Sequence, residues 1–135
     1  MLRQVGGVWF VVGGAIVALV VMSTSLVGAA DVEKGKVVFE QCAVCHSLDG
    51  SGDYDGPTLK AVIGRKAGSL EEYRYSAAMK RSDVVWDADT LDKYVADPQA
   101  FIPGNRMAFA GLADKGERDD LIAFLAAATK DSKSN

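Results

Sequence analysis

The chain has 135 residues, of which 49% are hydrophobic and 24% charged, with 15 basic and 18 acidic side chains giving a net charge of −3. That length holds one domain once an apolar start is set aside, near the lower end of comfortable core size. Two cysteines and one histidine exclude a closed four-ligand zinc site unless several carboxylates or a second chain contribute.

Met1-Leu2-Arg3 is a short positive start, followed by a charge-free stretch from Val5 to Met22. Ser23-Thr24-Ser25 breaks the apolar run, and small residues precede the polar Asp31. This layout predicts a secretory signal over residues 1–30, cleaved after Ala29 or Ala30. The alternative is an uncleaved membrane anchor, at the short edge of what spans a bilayer. The small-residue site and the short stretch before the folded part favour cleavage. Either way, residues 31–135 form the domain and face the extracytoplasmic side. Cleavage would remove one arginine, leaving 14 basic against 18 acidic side chains.

Asp31-Val32-Glu33 opens a helix, with acidic residues at its positive dipole end. Val32, Gly35, Val38 and Phe39 recur at helical spacing and lead into Cys42-Ala43-Val44-Cys45-His46. C-x-x-C-H is the attachment pattern of a c-type haem. Two thiols three positions apart add to the two vinyl groups of the ring, and the adjacent histidine becomes the proximal iron ligand. A thioredoxin-like pair would follow a strand, and no strand pattern precedes Cys42. A disulfide between cysteines this close would close no useful loop. With a single histidine, bis-histidine ligation within the chain is impossible, as is a second haem of this type. The sixth position then falls to Met, Lys, Tyr, another weak ligand, or none.

Leu48 to Gly56 reads as a loop rich in glycine and aspartate, and Thr58 to Ile63 as a short apolar helical piece ended by Gly64. Leu70 to Met79 mixes short helical turns with tyrosines. Asp87 caps a clearer helix carrying Leu91, Tyr94 and Val95 on one face, which stops before Pro98. Phe101 to Ala110 contains Pro103-Gly104 and has no periodicity, so it reads as an ordered loop. The last helix runs from about Lys115 to Thr129, with Leu121, Ile122, Phe124, Leu125 and Ala128 on its apolar face. The pattern is all-α, short helices and structured loops packed around something central. Outside the leader, two methionines remain. Met79 fits a gap-filling role. Met107 lies in the irregular segment, where a thioether has no helical face to serve, and is the candidate axial ligand by the His/Met pairing of electron-transfer haems.

From Val32 to Lys130 the chain resembles a class I cytochrome c of the mitochondrial type, in the short bacterial periplasmic branch. Beside the haem-binding run, the resemblance rests on Gly56-Pro57-Thr58-Leu59, Gly64-Arg65-Lys66, Tyr73-Arg74-Tyr75-Ser76, Trp86, the methionine loop and Asp120-Leu121-Ile122-Ala123-Phe124-Leu125. It implies the cytochrome c fold around one covalent haem c. It also implies that the Pro57 carbonyl accepts the proximal histidine's ring N–H. Arg65, Tyr75 and Trp86 would hold a buried propionate. Tyr94 would lie near the Met107 sulfur, Phe109 beside the exposed haem edge, and Asn105 among the haem-binding residues. Gly35 and Phe39 would cross Leu121 and Phe124. No role follows for Tyr73.

Two departures stand out. Met79 takes a position where many members have asparagine near the haem, which makes it a remote rival ligand, and Gln41, Gln99, Ala100, Ala113 and Asp114 stand where lysine is common, while Arg106 and Lys115 keep positive charge. The function implied is electron transfer without catalysis. The donor would be quinol–cytochrome c reductase, and the acceptor cytochrome c oxidase or a photosynthetic reaction centre. The carrier would be a periplasmic monomer with no nucleic-acid partner, meeting membranes only through those complexes or an uncleaved leader. The alternatives are a membrane-anchored electron-transfer subunit, or a haem peroxidase or gas-binding protein, which would need a distal acid–base group no second histidine can supply.

Overall fold

A computed structural model describes residues 28–51 and 54–130. The predicted leader lies outside them except for Gly28-Ala29-Ala30, which run exposed and without regular structure into Asp31. Five helices follow: α1 (Val32–Ala43), α2 (Ala77–Arg81), α3 (Ala88–Ala96), α4 (Pro98–Phe101) and α5 (Lys115–Lys130). Among the described residues the chain is all-α, with one isolated antiparallel bridge between Lys66 and Val85.

The caps explain where the helices begin. The Asp31 carboxylate accepts the N–H groups of Glu33 and Lys34, satisfying donors that a helix start leaves unpaired. Asp87 and Thr90 exchange side-chain and backbone hydrogen bonds as a capping box at α3. Ser76 accepts the Met79 N–H at 3.1 Å and starts α2.

α1 packs along α5. Phe39 and Phe124 meet with ring centroids 5.3 Å apart, and Leu121 behind them is 1% exposed. At Gly35 the backbones approach so closely that a Cβ would lie 2.5 Å from the Asp120 carbonyl carbon and 2.8 Å from Phe124 Cβ. Only glycine leaves room for that crossing. The Asp31 N–H also donates to Asp120 Oδ1 at 2.6 Å, tying the start of α1 to α5. Arg118 joins α5 to α3: its Nε donates to Asp92 Oδ1 at 2.8 Å, and its Nη1 donates to the Leu112 and Ala113 carbonyls, each at 2.8 Å.

Two expectations need correction. Thr58 to Ile63 is a series of turns, not a helical piece. A helix there would need the Thr58 and Lys60 carbonyls for its own ladder, but the Arg65 guanidinium takes both, at 2.8 Å each. Ala61 sits at φ 52, and the Gly64 N–H donates to Trp86 O at 2.7 Å. Pro98, read only as a stop for α3, also starts α4. It stands at the first helical turn, where its missing N–H costs nothing, and Asp97 accepts the Ala100 N–H at 3.0 Å.

Candidate haem site

α1 ends at Ala43, so Cys42 sits on the last turn while Cys45 and His46 follow in a tight turn. The N–H groups of Cys45 and His46 both donate to Cys42 O, at 3.0 and 2.9 Å. The two cysteines form no disulfide, and both face a cavity of about 300 Å³. Burial and the neighbouring Cys45 push the Cys42 thiol up to about 11, so it is held protonated and is nucleophilic only once ionised.

His46 lines the same cavity. Its Nδ1 is 2.7 Å from the Pro57 carbonyl oxygen. A carbonyl only accepts, so Nδ1 carries the proton and Nε2 keeps its lone pair. Burial lowers the His46 pKa, the bond to Pro57 opposes that, and the Arg65 charge lowers it further. The net result is a neutral imidazole. Gly56 makes the arrangement possible, since a Cβ there would lie 2.5 Å from His46 Cε1 and 2.7 Å from Cys45 O.

Arg65 and Trp86 reach one wall through backbone pairing between residues 64–67 and 84–86. Trp86 N–H donates to Arg65 O at 2.9 Å and Ala67 N–H to Val84 O at 2.8 Å. Both side chains line the cavity with Tyr75. Among the described residues, Arg65 Nε is the buried side-chain polar atom left with no hydrogen-bond partner. Burial lowers the Arg65 pKa, opposed by Tyr75 and Glu72. Burial raises that of Tyr75, opposed by Arg65. A half-buried guanidinium whose buried Nε lacks a partner calls for an anion, and a haem propionate would supply one.

Met107, Phe109 and Tyr94 line the cavity from the other segments. The Tyr94 ring tilts against Trp86 with centroids 4.9 Å apart. Burial pushes its hydroxyl up to about 12, with Tyr73 adding to the shift. Asn105 stands apart. It is 6% exposed and does not line the cavity, because its amide is turned toward the backbone of α4 and of its own loop.

Tyr73 and Arg106 line the cavity without a site role in the sequence reading, and Met79, expected near the haem, lines it too. Tyr73 faces the cavity, donates its hydroxyl to Asp55 O at 2.7 Å and sets its ring edge-on to Tyr75, centroids 4.7 Å apart. The tyrosines two positions apart in a non-helical segment were its only signal. Met79 is 8% exposed and lines the cavity, so it fills space beside the cofactor rather than elsewhere in the core. Arg106 also lines it and donates to the Arg74 carbonyl, closing the methionine loop over residues 73–76.

These residues fit a covalent haem. Two cysteines outside any disulfide and an imidazole with one free nitrogen face a single, largely apolar space, which also holds an uncompensated cation and a thioether. Residues 32–129 match the family model described as Cytochrome c. The chain is 46% identical over 110 residues to cytochrome c2 of Rhodomicrobium vannielii, covering 81% of this chain and 88% of that one. It is 47% identical over 98 residues to cytochrome c 2.1 of Caenorhabditis elegans, covering 72% and 88%. A solved structure, cytochrome cH from Methylobacterium extorquens, superposes with a TM-score of 0.68 at 39% identity, over 73% of this chain and 99% of that one. The chain therefore belongs to the cytochrome c family, carrying haem c covalently as an electron carrier rather than as an enzyme.

Proposed function

We propose that this protein is a single-haem carrier that shuttles electrons from quinol–cytochrome c reductase to cytochrome c oxidase or a photosynthetic reaction centre. Cys42 and Cys45 would hold the ring, and His46 and Met107 would ligate its iron. The observation that carries this reading is that one cavity is lined by the chain's single imidazole, with Nε2 free, and by the Met107 thioether. Haem c bound here supplies a one-electron Fe(III)/Fe(II) couple, and His/Met ligation raises its potential.

The rest is done by the chain. Pro57 fixes the His46 tautomer. Arg65 compensates buried negative charge, and the apolar wall of Trp86, Tyr94 and Met79 excludes water. Phe109, half-buried, gives partners a path to the haem edge. Residues 1–30 act as a cleaved export signal, and the mature monomer works in the periplasm. Among the described residues no helix is long and apolar enough to cross a membrane.

The test is spectroscopic and kinetic. The ferric protein shows the weak near-infrared charge-transfer band of Fe(III)–thioether bonding, and Met107→Ala abolishes it while Met79→Leu keeps it. Purified reductase reduces the protein, and oxidase or reaction centre reoxidises it. A native ferric protein lacking the band, or one that neither complex turns over, sinks the proposal. The N-terminal mass of the protein from its own cells separates a mature chain starting near Asp31 from a retained leader.

A further inference from the structure

Residues 103–109 carry Met107 with neither helix nor strand to hold their backbone. One side chain takes over that task. The Asn105 amide uses all four of its hydrogen-bonding positions. Nδ2 donates to Pro98 O at 2.7 Å and to Ile102 O at 2.9 Å. Oδ1 accepts the Met107 N–H at 2.9 Å and, at a longer 3.4 Å, the Tyr94 hydroxyl. The Asn105 backbone is bonded as well: its N–H donates to Ile102 O at 3.1 Å, and its carbonyl accepts from Gln99 Nε2 at 3.1 Å. A half-turn of the amide would set its oxygen against two carbonyls and its NH2 against the Met107 N–H, so a single orientation is specified.

One oxygen atom thus joins the backbone of Met107 to the hydroxyl of Tyr94, and both residues line the cavity. Asn105 itself does not line it. We propose that Asn105 is a positioning residue, which presents the Met107 thioether to the iron by fixing the Met107 backbone against α4 and Tyr94 rather than by contacting the haem. This rests on the reading of Met107 as axial ligand. Losing the amide leaves the Met107 N–H without its partner and takes one of two donors from each of the Pro98 and Ile102 carbonyls, which keep only a backbone N–H. The stress then falls on the segment that must stay in place for the iron–sulfur bond.

The experiment titrates imidazole into the ferric holoprotein and follows loss of the near-infrared thioether band. Asn105→Ala and the isosteric Asn105→Asp should bind imidazole about ten- to a hundredfold more tightly than wild type, the scale of an unpaired buried polar group. Gln99→Ala loosens the same loop but keeps the Met107 N–H bond, and should stay within about twofold of wild type. Asn105 variants that lose global stability yet bind imidazole as weakly as wild type overturn the proposal, as does a Gln99→Ala variant that matches them. Met107→Ala separates the two readings: if it keeps the band, the ligand assignment fails first and on its own. Should neither Asn105 variant load haem, amide exchange in the reduced wild type decides. The Met107 N–H should exchange more slowly than those of Arg106 and Ala108, and equal rates refute the inference.

Discussion

Gly35→Ala sets two effects of opposite sign against each other. Inside a helix, alanine is favoured over glycine by about 1 kcal/mol, so a view of α1 by itself expects a more stable protein. The crossing with α5 says the reverse. The new methyl would lie 2.5 Å from the Asp120 carbonyl carbon and 2.8 Å from Phe124 Cβ, where real contacts need about 3.4 Å or more. The nearest atoms are backbone, which cannot rotate away, and Leu121 beside them is 1% exposed, so the helices must separate. Overpacking of this kind costs about 1–3 kcal/mol, and a backbone clash belongs at the upper end. The net is a loss of about 2 kcal/mol, from a total of about 5–15. At roughly 4–8 °C per kcal/mol for a domain of this size, the thermal midpoint should fall by about 8–16 °C. Guanidinium and thermal unfolding of the holoprotein, followed by far-ultraviolet circular dichroism, measure it. Lys36→Gly, at an exposed site on the same helix, calibrates the propensity effect alone at about 1 kcal/mol. A Gly35→Ala midpoint at or above wild type would refute the argument.

Arg118→Lys should cost about 1–3 kcal/mol, because one ammonium cannot serve Asp92, Leu112 and Ala113 together as the guanidinium fork does; a change within about 0.5 kcal/mol in urea unfolding counts against it. The holoprotein, unfolded in guanidinium, should titrate no free thiol and should weigh one haem more than its chain, whereas a titre at Cys42 or Cys45 contradicts thioether attachment. Hydrogen bonds from the Thr90 backbone and hydroxyl hold the Asp87 carboxyl below its ordinary pKa. Its contribution is therefore present above the unfolded value of about 3.9 and is lost as pH falls through the lower folded value. Asp87→Asn keeps a cap but removes that slope, so stability curves for the two proteins should converge toward acid pH; parallel curves reject the assignment.

What could be read from the sequence follows from how local the cause is. The haem-binding run is five consecutive residues with their chemistry built in, and α1, α3 and α5 announce themselves by caps and by apolar faces at helical spacing. Residues 58–63 carry similar spacing yet form turns, because the carbonyls a helix would use are claimed by Arg65 from further along the chain. No local pattern reveals that competition. Pro98 ends one helix and begins another; the second role rests on a local cap, Asp97 accepting the Ala100 N–H with proline in the first turn, a signal that the sequence does carry. Asn105 was expected at the cofactor through resemblance; its partners are carbonyls of α4 and the loop, whose positions depend on the whole fold.

These cases share a cause that bears on how the site works. Much of the cavity wall comes from segments 55–76 and 103–109, which have almost no regular structure. Backbone groups there lack the partners that a helix or sheet ladder would give them. Side chains bond some of them and tie the loops down: Arg65 to Thr58 and Lys60, Tyr73 to Asp55, Arg106 to Arg74, and Asn105 to Met107 and to Pro98 and Ile102 of the preceding turn. Such bonds fix individual atoms without stiffening a whole element. His46 and Met107 are thereby held by independent anchors, the Pro57 carbonyl and the Asn105 amide, on separate parts of the chain. Loosening one should leave the other in place, so if both ligate the iron as proposed, loss of Met107 and loss of His46 from it should occur as separate transitions in a guanidinium titration followed by the haem absorbance.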